Sequence, residues 1–122
     1  DGRFFKYTDS TFGYPILAIH RTRGTSAATA AAVQDGDYLG ELRFTGLTSG
    51  FSTATGTSIR AKVSGTIDQT EMPTNLEFLT TGEDTVSPTV RMVIDSAGNI
   101  GIGTDSPDHP LEVVGAISSA DT

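Results

Sequence analysis

The 122-residue sequence has no cysteine and no tryptophan. The first absence removes disulfide frameworks and thiolate chemistry. The second removes the largest aromatic side chain for stacking on a sugar ring. Basic residues are scarce: 8 Lys and Arg stand against 15 Asp and Glu, for a formal net charge of −7. Phosphate binding needs clustered Lys and Arg. Here they are scattered, the closest set being Arg21 and Arg23, so no nucleic-acid partner is expected. The acidity reads as solubility. No apolar run approaches the ~20 residues that span a bilayer, and no signal-peptide pattern is present, so no membrane insertion is expected. Apolar residues make up 36%, against roughly 45–50% in ordinary soluble domains, a range that also counts glycine. Alanine supplies much of that share. The core of a single copy is therefore thin, and burial against further copies would help.

Gly, Thr and Ser are abundant instead, with short apolar stretches between them. That is the all-β pattern of many strands and many turns. Helix evidence is poor. Ala27, Ala28, Ala30, Ala31 and Ala32 cluster, and alanine is the best helix former. But the run is too short to hold alone, and it ends in the turn signal Gln34-Asp35-Gly36-Asp37. One helical turn fits there at most.

Period-two alternation predicts the strands. Within 14–23, Ile16, Leu17, Ala18 and Ile19 read as a strand apolar on both faces. Residues 39–45 set Leu42 and Phe44 against Glu41, Arg43 and Thr45. Residues 57–63 set Ile59, Ala61 and Val63 against Ser58, Arg60 and Lys62. Leu76 and Phe78 share a face in 75–80, and Met92 and Ile94 share one in 90–95. Turn compositions fill 46–56, 65–73, 81–88 and 96–99.

Spacing divides the chain into a connecting segment, 1–13, a globular β domain, 14–95, and a glycine-punctuated stalk, 96–122. The domain is expected to be a small antiparallel sandwich or barrel-like unit. Phe4, Phe5 and Tyr7 form an aromatic cluster that would cap its core or face a neighbouring subunit. Asp1 and the small polar residues from Ser118 to Thr122 read as cut ends of a longer chain.

The most distinctive stretch is Arg91-Met92-Val93-Ile94-Asp95-Ser96-Ala97-Gly98-Asn99-Ile100-Gly101-Ile102-Gly103-Thr104-Asp105-Ser106-Pro107. Leu111-Glu112-Val113-Val114-Gly115-Ala116-Ile117 follows it. Residues 95–99 read as a turn, because Gly98 takes a left-handed conformation without Cβ strain. Ile100 and Ile102 share a face, while Gly101 and Gly103 leave the other bare for close backbone approach. Leu111 and Val113 begin another short strand. Strands this thin do not make a stable monomeric sheet. Three intertwined copies would, with Ile100, Ile102, Leu111 and Val113 inward and the open edges paired. A homotrimer interface is therefore expected at Ile100, Gly101, Ile102, Gly103, Leu111 and Val113.

This stretch resembles bacteriophage tail fibre and tailspike proteins, where such a segment often precedes a self-cleaving intramolecular chaperone domain of the endosialidase type. Gly36-Asp37-Tyr38-Leu39-Gly40-Glu41-Leu42-Arg43-Phe44-Thr45-Gly46 and Met72-Pro73-Thr74-Asn75-Leu76-Glu77-Phe78-Leu79-Thr80-Thr81 resemble segments of the same fibres, in the same order. The resemblance covers roughly 34–117. It implies a structural, non-enzymatic part of a virion tail fibre that trimerises, extends the fibre and supports host attachment. The implied partners are other tail or baseplate proteins and a host surface glycan. Since the sequence stops at Thr122, the chaperone domain's catalytic residues are absent and self-cleavage is not implied for it.

Other chemistries fit poorly. Gly98, Gly101 and Gly103 lack the following helix that a dinucleotide loop requires. His20 and His109 have no zinc-ligand spacing. Asp35 with Asp37, and Glu83 with Asp84, lack a calcium-loop pattern. No metal, cofactor or catalytic residue is therefore expected. Two alternatives remain to the structural reading. One is a receptor-binding module for a host glycan or protein, with Phe51 in loop 47–57 as contact, although Phe51 packing on a sheet or a neighbour is the simpler expectation. The other is a polysaccharide-degrading tailspike fragment using paired carboxylates.

Overall fold

The computed structural model describes residues 16–119. Six strands follow one another: β1 Tyr38–Leu47, β2 Thr53–Val63, β3 Thr74–Thr80, β4 Thr89–Ile94, β5 Ile100–Ile102 and β6 Leu111–Val113. They form one sheet in sequence order. Pairing is antiparallel from β1 to β5 and parallel between β5 and β6. The all-β class is the one the chain adopts. Among the described residues the sole helical piece is a 3-10 turn, Ala27–Thr29, in the alanine-rich run. The described strands make a single sheet, so the second layer of a sandwich or the closure of a barrel would have to come from outside them.

From residue 39 onward each expected strand is present. β1 and β2 run further into 46–56 than their glycines suggest, and the hairpin closes over Thr48 to Ser52. The exception is 14–23. Residues 16–22 form no strand, and Arg23 makes one isolated bridge to Ala31. Apolar content alone does not make a strand without a ladder partner. Here Arg21 donates its Nη1 to the Tyr38 carbonyl at 2.6 Å, a side-chain contact where a ladder bond would stand. The aromatic cluster at Phe4, Phe5 and Tyr7, and segment 1–13 as a whole, lie outside the described residues.

Two hairpins share one geometry. In β1–β2, Phe51 N donates to Thr48 O and Thr48 N to Ser52 O, both at 2.9 Å. In β4–β5, Gly98 N donates to Asp95 O at 3.0 Å and Asp95 N to Asn99 O at 2.9 Å. Each is a three-residue loop whose last member is left-handed. Gly98 takes that place with φ +87, and Phe51 takes it with φ +59.

Little is buried. The large apolar side chains in the core are Val33, Val63, Leu79 and Val93. Val63 is fixed at the foot of β2, where Gly36 N donates to Val63 O and Val63 N to Asp37 O. Leu79 and Val93 lie on one face of the sheet, and the link that carries the chain from β5 back to the start of β6 runs on that side. That link passes directly over Gly101, where an added Cβ would sit 2.6 Å from Thr104 O and 3.1 Å from Val93 Cγ1.

Candidate functional site

Register sorts the side chains into two faces, since paired residues share a side and neighbours alternate. One face carries the row Glu41, Arg60, Glu77, Val93, Gly101 and Glu112. It is polar at the β1 side and nonetheless closed. Arg60 Nε donates to Glu77 Oε2 at 2.5 Å, and Glu77 is buried. The Arg60 guanidinium lies 4.4 Å from the centre of the Tyr38 ring, a stacking arrangement. Arg43 Nη2 donates to Glu41 Oε2 at 2.5 Å, and that bond holds the Glu41 carboxyl below its ordinary range.

The opposite face carries Leu42, Ile59, Phe78, Met92, Ile102 and Val113 in one row. Ala61, Leu76, Ile94, Ile100 and Leu111 form the row beside it. It is apolar from edge to edge, and among the described residues it has no covering layer beyond Ile19, which rests on Gly40 at the β1 end. Leu42 is 54% exposed, Leu76 38%, Ile102 42% and Leu111 59%. A groove of about 290 Å³ lies at its β1 end, against Leu42, Ile59, Ala61 and Leu76. Contiguous apolar patches of this kind mark interaction surfaces.

The six expected interface residues fall in two groups. Ile100 pairs with Leu111 and Ile102 with Val113, so all four side chains lie on the open apolar face. Gly101 points to the closed face, and the backbone that approaches it is the chain's own at Thr104. Gly103 has φ +77 and lies beside Val114, whose carbonyl oxygen would be 3.3 Å from an added Cβ.

Phe51 sits at the β1–β2 hairpin tip and is 88% exposed, so it does not pack on the sheet of the described residues. A bulky residue at positive φ is a conformational outlier, and such outliers concentrate at functional positions.

One feature of the N-terminal side was not legible beforehand. Asp37, at the head of β1, is buried and accepts four hydrogen bonds. Its Oδ1 receives Arg21 Nη2 at 3.1 Å and Arg23 Nη2 at 2.8 Å. Its Oδ2 receives Arg23 Nε at 2.6 Å and Gln34 N at 3.0 Å. The two-pronged guanidinium of Arg23, then the Gln34 amide, hold the carboxyl far below the usual carboxylate range. The pairing of Arg21 with Arg23 was the available signal, but a one-residue gap between arginines does not say which acid receives them.

The remaining candidates have ordinary settings. Asp35 Oδ1 accepts Gly65 N at 2.8 Å. Glu83, Asp84, His20 and His109 are exposed. Among the described residues no three His, Cys, Asp or Glu side chains group closely enough to hold a metal.

No family model matches the chain, and no curated protein matches it. Solved structures do. The chain is similar to the carboxy-terminal domain of the bacteriophage T5 L-shaped tail fibre, with a TM-score of 0.64 and 20% identity over 89% of the chain. It is similar to the same domain solved with its intramolecular chaperone domain, again with a TM-score of 0.64 and 20% identity, over 88% of the chain. The chain spans 41% and 30% of those two structures. The likeness is one of fold: the sheet described above is similar to part of that tail fibre domain.

Proposed function

We propose that this chain is a structural, non-enzymatic segment of a phage tail fibre. Three copies join through the apolar face of the sheet, extend the fibre and support host attachment, in company with other tail or baseplate proteins. The observation that carries this reading is the uncovered apolar face, with Ile100, Ile102, Leu111 and Val113 continuing the rows of Leu42, Ile59 and Leu76. The fold shared with tail fibre domains supports the same assignment. A glycan-cleaving site is disfavoured because Glu41 and Glu77 are each held by an arginine instead of facing an open cleft.

Light scattering on the purified chain tests the assembly. A trimer mass is expected, and Ile102→Asp is expected to abolish it, because the substitution places an unpaired charge in the buried face. A stable folded monomer, or a fully trimeric Ile102→Asp protein of unchanged Tm, would overturn the reading.

A second reading, contact with a host surface through Phe51, is favoured by one observation. The β1–β2 hairpin keeps a large exposed aromatic where its backbone suits glycine. Phe51→Gly is expected to raise Tm slightly while cell or glycan-array binding falls. Unchanged binding would remove Phe51 from the contact.

A further inference from the structure

Residues 16–22 join no ladder, yet they are fixed to the sheet at both a polar and an apolar point. The polar point is the Asp37 clip, which holds Arg21 and Arg23 in a part-buried set of bonds. The apolar point is Ile19, whose side chain rests on Gly40. A Cβ at Gly40 would lie 2.4 Å from Ile19 Cγ2, so this packing requires glycine there. Gly40 pairs with Ala61, which places Ile19 on the open apolar face, at the margin of the groove formed with Leu42, Ile59 and Leu76.

The segment is held but not buried. Ile16 is 62% exposed, Leu17 64% and Ile19 57%. Three large apolar side chains within four residues would ordinarily be covered, and their own sheet covers only part of Ile19. We infer that residues 16–19 form an intersubunit strap: clipped to its own sheet at Asp37, the segment extends the apolar face and is covered by a second copy of this chain. The inference rests on the assembly reading above and adds a second, N-terminal element to it.

Area supports a second copy as the occupant. Ile16, Leu17 and Ile19, with the exposed side chains of the face itself, each leave on the order of 100 Å² in water, which together approaches the roughly 800 Å² that each side of a standard interface contributes. The strap also starts at the β1 edge, opposite β6. Contact there would put interface residues at both edges of the sheet, as a closed ring of copies requires.

The test uses the whole chain and compares three variants by sedimentation across a concentration series. Ile19→Asp and Asp37→Ala are each expected to raise the midpoint of association by about tenfold or more, and Ile19→Leu to leave it unchanged. Ile19 is largely exposed, so Ile19→Asp tests the strap even where Asp37→Ala unfolds the clip. Because the chain lacks cysteine, Leu17→Cys supplies a single thiol. Its alkylation is expected to slow by about tenfold when copies associate, reflecting burial. If Ile102→Asp dissociates the assembly while Ile19→Asp associates like the parent chain and the Leu17→Cys thiol stays equally reactive, the strap is wrong and the assembly stands. If the parent chain is monomeric at every concentration, the assembly reading fails and the strap falls with it.

Discussion

One face of the sheet carries Glu41, Arg60 and Glu77 in a row and is closed. The other carries Leu42, Ile59 and Phe78 in the adjoining row and is open. For a single chain in water the usual order is the reverse, with charge outside and apolar surface inside. The polar face closes at the β1 side because its charges are matched to one another, Arg60 with Glu77 and Arg43 with Glu41. The link from β5 to β6 crosses the same face at Gly101, beside Val93. The apolar face stays open because the described residues supply only one sheet. Among the described residues, then, the polar side is closed and the apolar side is left largely uncovered. Substitutions on the two faces should then fail in different ways.

The largest expected effect is on the closed face. Leu79 is 2% exposed. Leu79→Ala should cost about 2–5 kcal/mol, from lost burial and the cavity left behind. Denaturant unfolding would show it as a lower midpoint at unchanged slope. Because the loss lies within one copy, it should not depend on protein concentration. A concentration-dependent loss would mean that the closed face, too, is completed by a neighbour.

Next comes the charge pair. Glu77→Ala leaves the Arg60 guanidinium without its carboxylate, in a site where the Arg60 side chain is only 21% exposed. The cost should be about 1–3 kcal/mol, the penalty of an unsatisfied buried group. Replacing both partners, with Arg60→Met and Glu77→Leu together, should recover most of it, because a well-packed apolar pair of similar volume is often neutral. If the double variant is as unstable as Glu77→Ala, the pair does more than close the face.

Much of this arrangement was legible in the sequence. Alternation in 39–45, 57–63 and 75–80 separated the two faces correctly, because strand period is fixed at two and needs no knowledge of partners. Ile100 with Ile102, and Leu111 with Val113, were placed on one face for the same reason, but their parallel pairing within one chain was not legible, since the link over 103–110 sets it and alternation says nothing of that link. What alternation does not carry is which face a second layer will cover. It therefore could not show that the charged row would close and the apolar row stay open. The strand expected at 16–19 failed on the same ground: apolar residues specify burial, and the ladder depends on a partner elsewhere in the chain. Asp37 was noted only as part of a turn, since its role depends on Arg21 and Arg23 arriving from across a loop. Phe51 was expected to pack on a sheet or a neighbour, and alternation alone did not show that it would stand at the hairpin tip, 88% exposed in a single copy.

The smallest effect on folding should come from the open face, and it is the sharpest test of the comparison. Leu42 is 54% exposed in a single copy. Leu42→Ser should change the stability of the dilute chain by no more than about 0.5 kcal/mol, as surface substitutions do. At concentrations where copies associate, the same substitution should lower the apparent Tm and weaken association, because the serine hydroxyl would be buried without an assigned partner. The two faces thus differ in whether concentration matters: Leu79→Ala is costly everywhere, and Leu42→Ser only when copies meet. Calorimetry over a hundredfold concentration range would separate them. Equal and concentration-independent losses at both positions would mean that the apolar face is covered within one chain.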